Sequence, residues 1–252
     1  MVNELKLRGY VTPEDFDGSD RERIQKALDV AKKEDICKVV LKGNYRTDGA
    51  VVIPCGMHLV LDHAVLEGNL QNEVINNFSF EQDRIYVEGK NGAVFGNIEF
   101  CHTNHVVIEN LAVDGAVTLR VSENFRIEYV TVSGLLTLGR ACQNGILQHL
   151  QCDAMLVAGA DMGYDIIGRE PLIKNIVLRD AQITNGVRLL AAQDAGLMNV
   201  QVDDITAQDV GVTVGVADTA LPRGQYQNLT FTNIRAPRPV VFCNEYLHAY
   251  VK

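Results

Sequence analysis

Five residues of this 252-residue chain are of the types that could act together on a substrate: the carboxylates Asp114, Asp153, Asp161 and Asp165, and the guanidinium of Arg188. Two carboxyl groups about 5 to 5.5 Å apart, or about 6.5 to 9.5 Å apart, can cleave a glycosidic bond with retention or inversion. An arginine beside them would orient a hydroxyl-rich substrate. Asp161 and Asp165 share the stretch Asp161-Met-Gly-Tyr-Asp165, beside which the spacing places Arg188. The plainer reading of that second cluster is a solvated loop whose carboxylates pair with Arg188. The histidines at 58, 63, 102, 105, 149 and 248 show no metal spacing, and His58, His105 and His149 recur near strand starts. Six cysteines (37, 55, 101, 142, 152, 243) contain no CxxC pair and match no zinc motif. They read as small buried hydrophobes in a reducing compartment. No metal or cofactor is expected.

Whether Asp114 and Asp153 can meet depends on the elements that carry them. Between Asn104 and Ala154 one phrase is written three times, beginning at Asn104, Asn124 and Asn144, each copy 20 residues after the last. Similarity at such a fixed period marks a solenoid. Within a copy the apolar residues alternate, as in Ile127, Val130 and Val132, which suits short strands with one face turned inward. Twenty residues are too few for two helices and a turn, so the unit is one rung of a parallel β-helix, stable only when the next rung stacks on it. Rungs lie about 4.8 Å apart, so residues two rungs apart are separated by nearly 10 Å, close to the upper limit for an inverting pair. Asp153 lies 39 residues beyond Asp114 rather than 40, and a one-residue slip turns a side chain to the opposite face unless a bend or bulge restores it.

The rest of the chain fits one all-β domain over residues 1–252, a right-handed parallel β-helix with an N-terminal cap at 9–37 and coils from 38 onward. Ser19 and Glu22 form a capping box ahead of the apolar stripe Ile24, Ala27, Leu28 and Ala31, which predicts one amphipathic helix covering the first rung. Strand-length runs closed by glycine follow, including Lys38–Gly43, Ala50–Ile53 and His58–Gly68. Residues 69–82 are polar and are expected to loop out. Later copies begin at Asn175, Asn199 and Asn228, and the extra length points to insertions at 158–172 and 215–227. The recurring Asn is read either as a ladder of side-chain amides along the axis or as solvated turn asparagine.

Net charge is −9 with a pI near 5.1, and no run of Lys or Arg is present, so a polyanion such as nucleic acid or pectin would be repelled and neutral partners are favoured. No stretch of 18 or more apolar residues occurs, so no membrane span is expected. Met1–Arg8 does not read as a signal peptide. That sets the expectation of a cytoplasmic chain, or of a secreted one if a leader has been removed.

With these residues in view, the chain resembles the pectin-lyase-like right-handed β-helix superfamily, and within it the polygalacturonase-like glycoside hydrolases of family 28. The resemblance rests on Asp17-Gly18-Ser19-Asp20 with Ile24-Gln-Lys-Ala-Leu28, and on Arg84–Asn97, which is similar to the family's strand and glycine-rich turn. It spans nearly the whole chain. The family signature comes in four pieces: Asn-Thr-Asp, an Asp-Asp pair, Gly-His-Gly and Arg-Ile-Lys. Laid coil on coil, they fall on Ala112-Val113-Asp114, Gly134-Leu135, Cys152-Asp153-Ala154 and Arg188-Leu189-Leu190, which keep only the first Asp and the Arg. In the family the Asp pair supplies acid and water activation, while Arg and Lys hold the uronate. Loss of the Lys agrees with the acidic charge, and both disfavour a uronate polymer.

Two functional expectations follow. The first is a carbohydrate-active, glycosidase-like chain hydrolysing neutral or weakly charged oligosaccharides or polysaccharides along the solenoid's outer groove, with the four aspartates converging on Arg188. The second is a non-catalytic β-helix serving as a sugar-binding or assembly module, for which a homo-oligomer is an expected arrangement.

Overall fold

The computed structural model describes residues 2–73, 84–159, 172–191, 195–215 and 225–243. Nine strands pair in parallel, in chain order, along one path: Lys38–Arg46, His58–Glu67, Ile85–Phe95, Val106–Asp114, Arg126–Leu138, Gln143–Ala158, Leu172–Ile183, Gly196–Thr206 and Gln225–Arg235. The register reproduces the 20-residue repeat between the second and third copies, whereas between the first and second it is 19 residues, Val107 pairing with Arg126. Ile127, Val130, Val132, Leu136 and Leu138 lie opposite Leu147, Leu150, Cys152, Met155 and Val157 of the next rung, and all ten are buried. Each such aliphatic contributes about 1.5–3 kcal/mol by leaving water, and its neighbours along the axis provide its apolar surroundings.

Two columns of left-handed residues bend each rung. One holds Asn124, Asn144, Asn175, Asn199 and Asn228, with φ between 52° and 57°. The other follows five residues later, at Tyr129, His149, Asp180, Asp204 and Asn233, and continues to earlier rungs as Asn110, Asn91 and His63. They divide the rung into a first face, such as Ile127–Glu128, and a second face, such as Val130–Ser133. After a further corner comes a third face, made of Leu70–Asn72, Ile98–Cys101, Val117–Arg120, the ends of Arg126–Leu138 and Gln143–Ala158, Val187–Leu190, Val210–Val214 and Arg238–Phe242.

At the N-terminal end the helix Asp20–Lys33 seats Ile24, Ala27, Leu28 and Ala31 on the core, and Ser19 and Glu22 form the expected capping box. Its polar residues pair the edge of the first rung. Gln25 donates to the carbonyl of Val52 and accepts from its amide, both at 3.0 Å, while Asp20 accepts from the Arg46 amide at 2.7 Å. The open strand edge is thereby closed by side chains acting as a further strand. A second helix, Val2–Arg8, precedes this cap.

Two expectations need correcting. The polar stretch from residue 69 does not leave the stack at once, because Leu70–Asn72 pairs with Val51–Ile53 and Ile98–Cys101; three residues are too few to show a period. The cysteines also differ among themselves: Cys101, Cys142 and Cys152 are buried, Cys55 and Cys243 are half-buried, and Cys37 is exposed at the end of the cap. The expected insertions fall mainly on 160–171 and 216–224, outside the described residues.

Candidate functional site

Asp114 and Asp153 stand on one outward column. Each directly follows a buried residue at the end of the second face, Val113 and Cys152, and Ser133 occupies the same place after Val132 on the rung between them. Three residues separate Val113 from Val117 and Val132 from Leu136, but only two separate Cys152 from Met155. That shortening follows Asp153, where the register shifts between Cys152 and Ala154, and leaves its facing untouched; the 39-residue spacing arises earlier, because Val113 pairs with Val132 19 residues on while Val132 pairs with Cys152 20 residues on. Both carboxylates are exposed and positioned from a neighbouring rung. Ser133 Oγ donates to Asp114 at 2.6 Å, and Asn185 Nδ2 donates to Asp153 at 2.8 Å. Two rungs put their backbones about 10 Å apart. Phe95, 48% exposed, lies beneath Asp114 in the same column.

Arg188 is exposed on the third face, in register with Leu156 and Thr213, around the corner from the aspartate column. The structure does not bring it to Asp114. Asp161 and Asp165 lie outside the described residues.

Two residues before the aspartate column, Ala93, Ala112, Thr131, Gln151 and Gln182 run along the second face. The first three floor an open depression of about 720 Å³. Its walls are Glu88–Gly92 on one rung, Asn110 and Leu111 on the next, and Tyr129 on the third. A second depression of about 370 Å³ continues it past Tyr129 and Thr131 to His149, Gln151, Asp180 and Gln182. The wall at residues 89–91 exists because the strand Ile85–Phe95 carries extra residues there: Glu88 pairs with Glu109 and Gly92 with Leu111, three residues against one. Glycine is required on both sides of this bulge. A Cβ at Gly89 would lie 2.3 Å from the Asn110 carbonyl oxygen, and one at Gly92 would lie 2.4 Å from that of Leu61.

The left-handed column borders this groove, and its residue types change there. Asn91, Asn110, Asp180, Asp204 and Asn233 suit φ near 50°, whereas a bulky side chain at such a φ costs about 1–2 kcal/mol. Tyr129 and His149 nevertheless occupy it. Their rings stack 4.4 Å apart and 11° from parallel, and the His149 Nδ1 lies 2.5 Å from Asp180 Oδ2. Tyr129 remains 58% exposed.

On the first face Glu88, Glu109 and Glu128 stack in register, an arrangement that like charges disfavour at strand spacing. Cations and donors relieve it. His58 lies 2.8 Å and Lys90 3.6 Å from Glu88, Arg126 reaches Glu109 at 3.2 Å and Glu128 at 2.7 Å, and the Tyr86 hydroxyl bonds Glu109. His58 in turn stacks on Tyr86 at 4.0 Å. Among the described residues no group of His, Cys, Asp or Glu is placed to hold a metal ion.

The sequence reading missed Tyr129, Thr131, Asn91 and Asn110. Only Tyr129 carried a signal, the offset of five residues from a ladder asparagine that it shares with His149, Asp180, Asp204 and Asn233, and the variety of residue types conceals it.

This arrangement of three-faced parallel rungs under a capping helix is a right-handed parallel β-helix. No protein-family model matches the chain, and no curated protein sequence matches it. Among solved structures it is similar to the surface protein and adhesin PfbA of Streptococcus pneumoniae, with a TM-score of 0.61 and 11% identity over 92% of this chain and 88% of that one. It is also similar to a polygalacturonase from Erwinia carotovora ssp. carotovora, with a TM-score of 0.52 and 11% identity over 90% of this chain and 92% of that one. At these identities the likeness is one of fold.

Proposed function

We propose that this β-helix is a carbohydrate-active protein that binds an oligosaccharide along its outer groove, between the Tyr129–His149 stack and the column Phe95, Asp114, Ser133 and Asp153. The observation that carries this reading is the groove itself. Its floor is flat and made of small side chains, an exposed aromatic pair borders one side, and hydrogen-bonded carboxylates border the other. Ligand sites of this kind combine apolar contact area with a few placed polar groups. An adhesin and a polygalacturonase share the fold, so the fold alone does not choose between binding and cleavage.

A second reading, hydrolysis, is favoured by the common facing of Asp114 and Asp153. Carboxylates on backbones about 10 Å apart come within the separation of an inverting pair when the side chains lean together. One would protonate the glycosidic oxygen as the C1–O bond breaks, and the other would take a proton from the water that attacks C1 from the opposite side. Titration of the protein with neutral and acidic oligosaccharides, followed by product analysis, tests both readings. Binding without turnover leaves a recognition module, turnover abolished in both Asp114→Asn and Asp153→Asn supports the hydrolase, and no binding to any saccharide removes the proposal.

A further inference from the structure

We infer that the depression between Lys90 and Tyr129 is a subsite for a single neutral pyranose ring, with the Tyr129 ring as its platform; this rests on the carbohydrate reading above and names the class of sugar. One face of Tyr129 is covered by His149 from the following rung. Because the two rings are nearly parallel and about one rung apart, the other face is turned toward the preceding rung, where Asn110 is short and the 720 Å³ depression opens. The platform is held from behind, since Asp180 fixes His149 and His149 backs Tyr129. A bulky aromatic is thus kept at a left-handed position whose neighbours in the column, Asn110 and Asn91, suit that backbone better.

The chemistry of the lining selects the ligand. The C–H bonds on one face of a pyranose are polarised by the ring oxygens and meet the electron-rich face of an aromatic ring favourably. Below that platform Ala93, Ala112 and Thr131 offer a floor without bulk, and the Asn91 and Asn110 amides offer donors and acceptors of the kind hydroxyls require. Two charges line the depression, Glu88 and Lys90, and they lie 3.6 Å apart. Lys90 is therefore neutralised where a uronate would need it, and the cup has no net charge to attract an acidic sugar.

The test is calorimetric titration of the full chain with neutral gluco-, galacto- and manno-oligosaccharides and with a galacturonate oligomer, for the parent and for Tyr129→Ala, Tyr129→Phe, Asp114→Asn and Asp153→Asn. The expected result is binding of at least one neutral oligosaccharide, retained within about twofold by Tyr129→Phe and weakened about tenfold or more by Tyr129→Ala. Thermal unfolding of the two Tyr129 variants shows that the fold survives. Parent-like affinity in Tyr129→Ala, with affinity lost in either aspartate variant, overturns the subsite and leaves the groove reading standing. Preference for the galacturonate oligomer overturns the neutral ligand. Failure of the parent to bind any saccharide removes the groove reading and the subsite together.

Discussion

Asn124 donates its side-chain amide to Asn104 Oδ1 across 2.7 Å, and the bond recurs from Asn144 to Asn124, Asn175 to Asn144, Asn199 to Asn175 and Asn228 to Asn199. The recurring asparagine is therefore a ladder, and it persists where the spacing grows from 20 residues to 31, 24 and 29. In the first copy the left-handed place belongs to His105, next to Asn104, but from Asn124 to Asn228 asparagine serves twice. It tolerates the left-handed backbone, and its amide donates in one direction along the axis while accepting from the other.

Breaking the middle of the ladder is expected to be costly. Asn144→Ala removes two side-chain bonds and places a Cβ-bearing residue without a local hydrogen bond at φ 55°, for a loss of about 3 kcal/mol. Asn144→Gly loses the bonds but not the backbone ease, so it should be about 1 kcal/mol milder. Urea unfolding midpoints of the two variants measure the difference.

Stability is expected to fall in two steps on acidification. Burial is the largest cause holding His58 below its ordinary value of 6.5, with Lys38 adding to it and Glu88 opposing it. Asp20 is held below its ordinary 3.8 first by the Arg46 amide and then by Arg23. Both groups bind protons more readily in the unfolded chain, so each contribution is complete above its ordinary value and is lost as pH falls through the folded one. Urea titrations at about pH 8, 5.5 and 3 should show both losses. His58→Gln removes the upper step, and Asp20→Asn removes the lower.

Thiol reactivity should divide along burial. Burial pushes Cys101 up to about 11 and Cys142 and Cys152 up to about 12, whereas Cys37 is exposed. Treatment of the folded protein with iodoacetamide near pH 8, followed by peptide mass spectrometry, is expected to label Cys37 at once and the three buried thiols only after denaturation.

Gly115 follows Asp114 at the corner between the second and third faces. A Cβ there would sit 2.2 Å from the Gly96 carbonyl oxygen, so Gly115→Ala must displace one rung from the other. The expected loss is about 1–3 kcal/mol, read as a lowered melting temperature. The same shift should disturb the 2.6 Å bond from Ser133 that positions Asp114 and weaken saccharide binding.

The winding was legible in the sequence because it depends on period, and period survives substitution. The capping helix was legible for a related reason, since Ser19, Glu22 and the stripe from Ile24 to Ala31 are local signals that the packing obeys. The candidate site was only partly legible. The outward aspartates were found, but the facing of Asp153 depended on where a missing residue falls, and spacing alone does not locate a register shift. Arg188 follows Asp153 by one rung and a corner, which places it on another face although the count of coils brings it close. Tyr129 escaped because its column mixes His, Asn, Tyr and Asp, so no motif marks it.

The register also makes the distance between the two acids a whole number of turns. Excising the twenty residues from Asn124 to Gln143 would seat Asn144 on His105, beside Asn104, and Leu147 on Ile108, with the interior stack still continuous. Asp153 would then arrive one storey above Asp114 instead of two, at about 5 Å. In a molecule built this way, the gap between reacting groups can be edited by counting storeys, with no side chain redesigned.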